Sequence, residues 1–299
     1  MTAGDSTPRM HEDEVLVDDG TVRALLKDQF PHWADRRLRR IADSGTDNAI
    51  YRLGDDLGIR LPRIRWAEAQ IDKECRWLPK LAGDLPTAVP VPLAEGRPGS
   101  GYPFPWLVYP WLEGISLDRV SLDGWNVIVD DVAEFVLALE HLPTAGGPPP
   151  IRRGTPMAQY DEAVLWGISQ LDGVIDVDRA RYVWQSALEA GDWQGDPVWI
   201  HGDLLPGNIL VHRGRLSGII DWSGAGVGDP ACEAMLAWSL PSDARRLYRR
   251  TLGFDDATWA RARGWVVEQT VFYIPYYATT LPTAVDQAMR RLNQALLPD

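Results

Sequence analysis

Lysine is nearly absent from this chain. Of its 30 basic side chains only Lys27, Lys73 and Lys80 are lysine, and the other 27 are arginine. Basic charge as a whole is in deficit: 42 acidic side chains leave a formal net charge of −12. A nucleic-acid partner is disfavoured, because phosphate backbones are bound by basic faces. No apolar run approaches the roughly 18 residues of a membrane span. The first 19 residues are acidic and polar, without the apolar segment of a signal peptide. The two cysteines, Cys75 and Cys232, are far apart in sequence. So few thiols fit a reduced, cytoplasmic setting. An acidic balance can attract a polycationic small molecule, and it can equally serve solubility alone.

Core material is plentiful. With 299 residues, 45% apolar content and 14 tryptophans, the chain can build one large unit or two lobes around one cleft. The most informative stretch runs from Trp199 to Trp222. Val198-Trp199-Ile200 is a short β-prone run after Gly195-Asp196-Pro197, and Ile209-Leu210-Val211 is a second. Arg213-Gly214-Arg215 is a turn, and 216–220 returns as a strand with Asp221 at its end. Residues 201–208 are therefore a loop in which Pro206 and Gly207 bar regular structure. The hairpin brings Asn208 beside Asp221, with Asp203 above them.

These residue types suit phosphoryl transfer. Magnesium prefers carboxylate, amide oxygen and water, which makes Asn208 and Asp221 candidate metal ligands. A carboxylate free of metal duty can accept the proton of an acceptor hydroxyl, and Asp203 fits. His201 joins it as a candidate catalytic-loop residue that orients the loop by hydrogen bonds. A transition-metal site built on His201 and Asp203 would need further ligands. A merely polar loop would not require this spacing.

The spacing His201-Gly202-Asp203, Asn208, then Ile220-Asp221-Trp222 and Gly228-Asp229-Pro230 resembles the aminoglycoside phosphotransferase (antibiotic kinase) family, which includes macrolide kinases. The resemblance runs from about residue 44 to the end. It implies an α+β, two-lobed protein-kinase-like fold, with a small antiparallel-sheet N-lobe over 1–107, a linker over 108–114 and a mainly helical C-lobe over 115–299. It implies ATP or GTP as phosphoryl donor, Mg²⁺ as cofactor and a hydroxylated small molecule, such as an antibiotic, as acceptor. An endogenous sugar, choline-like alcohol or amino alcohol shares every motif as acceptor. A nucleotide-binding regulator without catalysis is the reading from another class, and intact Asp203, Asn208 and Asp221 argue against it.

Further site residues follow from the same resemblance. Ser44-Gly45-Thr46-Asp47-Asn48, between strands at 38–43 and 49–53, stands where the family places its phosphate loop. On its residues alone a plain hairpin turn suits equally well. Arg60, in a strand at 59–61, occupies the position where relatives carry a phosphate-binding lysine. Glu74 lies on the apolar stripe of a helix at 68–81, and it needs a cation if buried. Arg60 is its expected partner, with Arg63 and Arg65 close in sequence. Tyr109 and Trp111 belong to the segment expected to meet the adenine. Helices are expected at 19–30, 122–142 and 231–240, the last capped by Asp229 and stopped by Pro241. The C-terminal third reads as helical and aromatic, mostly core.

Overall fold

The structure is a computed structural model that describes residues 14–41, 47–121 and 124–298. The chain divides into two compact units, Met1–Gly83 with Ala88–Glu113, and Asp84–Thr87 with Gly114–Asp299.

The first unit is built on a five-stranded antiparallel sheet. Its strands are β1 (Leu38–Arg40), β2 (Asn48–Leu53), β3 (Leu57–Pro62), β4 (Ala94–Gly96) and β5 (Trp106–Pro110), in the order β1-β2-β3-β5-β4. Side chains alternate between faces along each strand. Tyr51, Leu53, Ile59, Leu61 and Val108 join Val22, Leu25 and Leu26 of helix α1 (Asp19–Gln29) in one buried core. Each such side chain contributes about 1.5–3 kcal/mol on burial. Asp18 caps α1, accepting from the Thr21 N–H at 2.7 Å. The strand alternation turns Arg60 away from Ile59 and Leu61, where it meets Glu74 of helix α2 (Glu68–Leu81). In α2 the buried positions Ile71, Glu74, Leu78 and Leu81 recur every three or four residues, as the sequence spacing predicts.

The second unit is mostly helical. Its small strands are β6 (Ile115–Ser116), β7 (Val198–Ile200), β8 (Ile209–His212), β9 (Arg215–Ile219) and β10 (Gly226–Gly228). β6-β8-β9 form one antiparallel sheet and β10-β7 another. The expected hairpin of 209–220 is thus present as β8 and β9. Helix α3 (Asn126–Glu140) covers most of the stripe expected at 122–142, and residues 122–123 lie outside the described set. Helices α4 (Asp161–Ser169) and α5 (Val177–Glu189) fill a stretch to which the sequence analysis assigns no element. Helices α6 (Ser242–Leu252), α7 (Asp256–Tyr277) and α8 (Pro282–Leu296) complete the unit. Trp238, Trp259 and Trp265 are buried as expected of core, while Tyr276 is exposed. Among the described residues no helix is long and apolar enough to cross a membrane.

The segment after Asp229 departs from expectation in its winding. Pro230–Ser239 is a 3₁₀-helix in place of an α-helix. Every residue from Pro230 to Trp238 is buried, and the tighter helix makes a thinner rod for a segment packed on all sides. Asp229 starts it by accepting from the Ala231 N–H at 3.0 Å, the capping role expected. The same carboxylate takes two bonds from Arg261 of α7, Nε to Oδ2 at 2.7 Å and Nη2 to Oδ1 at 3.3 Å. Both side chains are almost fully buried. Removing one partner would strand the other charge in the interior. Asp229→Ala should therefore cost about 3–5 kcal/mol of stability. Asp229→Asn, which keeps a cap, should cost less, and urea unfolding of the two variants checks the order.

Candidate active site

Residues 201–208 connect β7 to β8, and β9 delivers Asp221 at its end. β7 pairs with β10 and β8 with β9, so both flanks of the loop are fixed by ladder hydrogen bonds. Ile209 faces Ile219 in the ladder, and the Ile220 N–H donates to the Asn208 carbonyl at 3.0 Å. Asn208 therefore lies at the residue next to Asp221, the neighbourhood that the hairpin spacing predicts. Asp221 sits at φ 62°, ψ 71°, and its side chain accepts from the Ser223 N–H. A left-handed backbone is uncommon for a residue with a β-carbon, though asparagine and aspartate tolerate it best. It turns the chain sharply at the residue proposed for the metal.

Asp203 is held from two sides. The Asn208 amide donates to its Oδ2 at 3.2 Å and to its backbone carbonyl at 2.9 Å. Arg153 donates from Nη2 to Oδ1 at 2.6 Å and from Nε to the Gly202 carbonyl at 2.7 Å. The sequence gives no sign of a role for Arg153. It lies 50 residues before Asp203, in a loop ahead of α4, and no local pattern marks it. The nearest available signal was the adjacent pair Arg152-Arg153 in a Pro-rich loop.

His201 is fully buried and serves the backbone. Its Nδ1 accepts from the Asp203 N–H at 3.3 Å, so the ring proton is on Nε2, which donates to the Ile220 carbonyl at 3.1 Å. Its ring meets Trp222 edge to face, with centroids 5.1 Å apart. The imidazole thus ties the loop to the strand that delivers Asp221. Gly202 is the tightest point. At φ 76° it is left-handed, and a β-carbon there would approach the Gly224 carbonyl oxygen to 2.6 Å. Its N–H donates to Glu233 Oε1 at 2.8 Å. Glu233 has no exposed surface, and burial raises its carboxyl to about 7. The Gly202 N–H works against that rise and the Glu140 carboxylate adds to it. Glu140 is itself raised to about 7 by burial.

In the first unit Arg60 Nη2 donates to Glu74 Oε2 at 2.7 Å, and both side chains are buried. The ion pair expected from the apolar stripe therefore forms. Arg63 is buried too, but it is committed to Glu14, and Arg65 is exposed. Tyr109 lies in β5 with its ring over Gly58, where a β-carbon would come within 2.6 Å of it. The Trp111 N–H donates to the Asp56 carbonyl at 2.8 Å, and the Arg52 guanidinium covers its ring at 4.9 Å. Asn48 is the first residue of β2, and its buried Oδ1 has no hydrogen-bond donor among the described residues. Ser44, Gly45 and Thr46 lie outside the described residues.

Asn208 commits its amide nitrogen to Asp203, which leaves its carbonyl oxygen as the atom able to face a cation. One amide oxygen and the Asp221 carboxylate suit Mg²⁺, which keeps several water and phosphate ligands.

Two measurements follow from this geometry. Arg60→Ala should destabilise the protein by about 3 kcal/mol, because Glu74 loses its buried guanidinium, and Arg60→Lys should restore part of that. Glu233 gives a pH effect whose sign is fixed. Its folded pKa of about 7 lies above the ordinary 4.5. The unfolded chain thus releases this proton first as pH rises, and stability is lost between about pH 4.5 and 7. Glu233→Gln removes that loss, so its melting temperature should gain on the wild type across this window. An unchanged difference between the two curves would contradict the assignment.

The chain is similar to known phosphotransferases. The model of the phosphotransferase enzyme family matches residues 37–265. An aminoglycoside 3'-phosphotransferase of Streptomyces fradiae is 28% identical over 183 residues, covering 54% of this chain and 66% of that protein. A viomycin phosphotransferase of Streptomyces vinaceus is 30% identical over 190 residues, covering 60% of this chain and 66% of that protein. The chain thus spans slightly under two thirds of the length of these two relatives. The GDP complex of wild-type aminoglycoside 2'-phosphotransferase-IIIa superposes with a TM-score of 0.74 at 19% identity, over 94% of this chain and 99% of that one. The apoenzyme of macrolide 2'-phosphotransferase MphH from Brachybacterium faecium superposes with a TM-score of 0.63 at 23% identity, over 94% and 99%. Such distant structural likeness establishes the fold, the kinase-like one expected, with an antiparallel-sheet first unit and a mostly helical second. With its family model matched over most of its length, the chain belongs to the phosphotransferase enzyme family.

Proposed function

We propose that this protein transfers the γ-phosphoryl group of a magnesium-bound nucleoside triphosphate to a hydroxyl of a small-molecule antibiotic, as a resistance kinase. The observation that carries the proposal is the arrangement of Asp203, Asn208 and Asp221. The Asp203 carboxylate is held by the Asn208 amide nitrogen, which leaves the Asn208 carbonyl oxygen for a cation, and Asp221 follows the strand that pairs with β8. Asp203 would accept the proton of the acceptor hydroxyl as the new P–O bond forms, and hold that hydroxyl in line. Asn208 and Asp221 would hold Mg²⁺, which when bound spreads the charge of the transferring group. His201 would keep the loop and the Asp221 strand in register without moving a proton.

In the first unit we assign the nucleotide phosphates to Arg60, with Glu74 orienting it and the 44–46 segment and Asn48 in support. Arginine presents a planar fork in place of the usual point charge of lysine, so one edge can meet Glu74 and another a phosphate. Tyr109 and Trp111 are assigned to the nucleobase side. The names of the relatives speak for an antibiotic acceptor. ADP or GDP in neighbouring structures speaks for a nucleotide donor.

Asp203→Asn tests the proposal most directly. It should keep the affinity for Mg²⁺-nucleotide and lower kcat by at least about 10²-fold, the scale of lost general-base catalysis. Asp221→Ala should instead abolish Mg²⁺-dependent nucleotide binding. Steady-state kinetics and titration calorimetry separate the two, and near-normal turnover by Asp203→Asn would refute the assignment.

A further inference from the structure

The backbone of Asp203 is fixed by several bonds, and its side chain mainly by one. Its N–H donates to His201 Nδ1 at 3.3 Å, and its carbonyl accepts from the Leu205 N–H and the Asn208 amide, each at 2.9 Å. None of these sets the side-chain torsions. Those rest on two contacts to the carboxylate. The Asn208 amide nitrogen reaches Oδ2 at 3.2 Å while it also serves the backbone carbonyl. Arg153 donates to Oδ1 at 2.6 Å, the shorter of the two and a charge-assisted bond. Arg153 therefore carries most of the orientation of a partly exposed carboxylate that could otherwise turn toward solvent.

The loop that bears Arg153 is itself pinned. The Val227 N–H donates to the Pro148 carbonyl at 2.8 Å and the Asp229 N–H to the Gly154 carbonyl at 2.9 Å, so β10 and the residue after it hold this loop at both ends. The Thr155 hydroxyl closes the turn on the Arg152 carbonyl at 2.6 Å. Gly154 is left-handed at φ 90°, and a β-carbon there would meet Ile200 Cδ1 of β7 at 2.3 Å. From this fixed base the guanidinium spans two consecutive residues, with Nε on the Gly202 carbonyl at 2.7 Å and Nη2 on Asp203 Oδ1. A planar fork bonded at two points has a set orientation, which the point charge of a lysine does not reproduce. Burial works against the charge of Arg153, and Asp203, Glu268, Cys232 and Glu233 together more than offset it. Each carboxylate oxygen can accept about two hydrogen bonds. With Oδ1 in the charge-assisted bond, Oδ2 is the less encumbered oxygen, bonded only by the neutral Asn208 amide.

We infer that Arg153 is a positioning residue of the proposed transfer, holding the Asp203 carboxylate in the rotamer that presents Oδ2 to the acceptor hydroxyl. The inference rests on the phosphotransferase reading above and deepens it. Its signature falls on kcat. A carboxylate misplaced by about 1 Å can cost a reaction about a hundredfold. Nucleotide binding, assigned to the first unit and to Asn208 and Asp221, does not call on Arg153 and stays as it is.

The test compares Arg153→Ala, Arg153→Lys and Asp203→Asn with the wild type as full chains. Kanamycin is the acceptor, or water, through slow Mg²⁺-ATP hydrolysis, where kanamycin is not phosphorylated. Calorimetry with a non-hydrolysable Mg²⁺-ATP analogue counts the nucleotide sites, so that kcat is expressed per competent site. Arg153→Ala should lose about 10- to 100-fold in kcat, with KM for ATP and the site count unchanged. Arg153→Lys restores the charge and one bond, and should recover part of the rate. Millimolar guanidinium ion, far below denaturing concentrations, should restore turnover to Arg153→Ala and saturate, while Asp203→Asn stays inactive. Should Arg153→Ala fail to fold, Arg153→Lys carries the test, with a full site count and a lowered kcat expected and a wild-type kcat contradicting the role. Turnover by Arg153→Ala at or above the wild-type rate, or a loss that only tracks missing nucleotide sites, overturns the inference. The reading beneath it fails separately. Near-normal turnover by Asp203→Asn sinks the phosphotransferase assignment, whereas an inactive Asp203→Asn beside a fully active Arg153→Ala sinks the positioning role alone.

Discussion

Everything proposed for the second unit turns on the crowding at Gly202. Its backbone is left-handed and lies against the Gly224 carbonyl, so no side chain fits there. Its N–H is taken by Glu233 and its carbonyl by Arg153. One residue without a side chain thus receives a carboxylate from the buried 3₁₀-helix on one side and a guanidinium from the loop ahead of α4 on the other. The two segments it presses together, 201–203 and 222–224, are the ones that carry the proposed base and follow the proposed metal residue. Close backbone approach here sets the distance between the two functions. Catalytic geometry of this kind tolerates little slack, since an error near 1 Å can cost about a hundredfold in rate.

The support behind Gly202 is electrostatically unusual. Glu233 is a carboxyl in a sealed interior, and it interacts by charge with the half-buried Glu140. Burial raises both to about 7, and for Glu233 the Glu140 charge adds to the rise. A protonated Glu233 still offers one oxygen as acceptor to the Gly202 N–H, so the loop anchor survives neutralisation. Asp229, four residues earlier, solves the same problem differently, with Arg261 bonded to both of its oxygens. One buried helix is therefore anchored at its start by an ion pair and bonded to the catalytic loop through a weakly acidic side chain.

How much of this was legible in the sequence depended on range. The 198–221 segment was readable because turn chemistry is local. Pro206 and Gly207 forbid a strand, and Arg213-Gly214-Arg215 closes a hairpin. The Arg60–Glu74 pair was readable because a charge on an apolar helical stripe demands a cation, and the family resemblance pointed to Arg60, 14 residues away. Arg153 was not readable. Its contact with Asp203 spans 50 residues, and nothing in its own neighbourhood requires a carboxylate. The helices α4 and α5 went unassigned although α5 carries an Asp176 cap of ordinary kind. The winding of 230–239 was missed because proline after an aspartate cap starts α and 3₁₀ turns alike, and packing on all sides chooses between them. Trp111 was assigned by position alone, and only the structure reveals Arg52 on its ring.

The scarcity of lysine connects these features. A lysine ammonium is a strongly hydrated point charge that loses much on burial, whereas a guanidinium is weakly hydrated and divides its donors among several acceptors. This chain repeatedly exploits the second property. Arg60 reaches a buried glutamate, Arg261 clasps both oxygens of Asp229, and Arg153 spans a carbonyl and a carboxylate at once. The use of Arg60 at the proposed phosphate position is then one case of a wider habit. The net charge of −12 describes the chain as a whole, while recognition is set by the few groups within reach of the reacting atoms. Beside Asp203 the nearest such group is Arg153, which bonds its carboxylate directly.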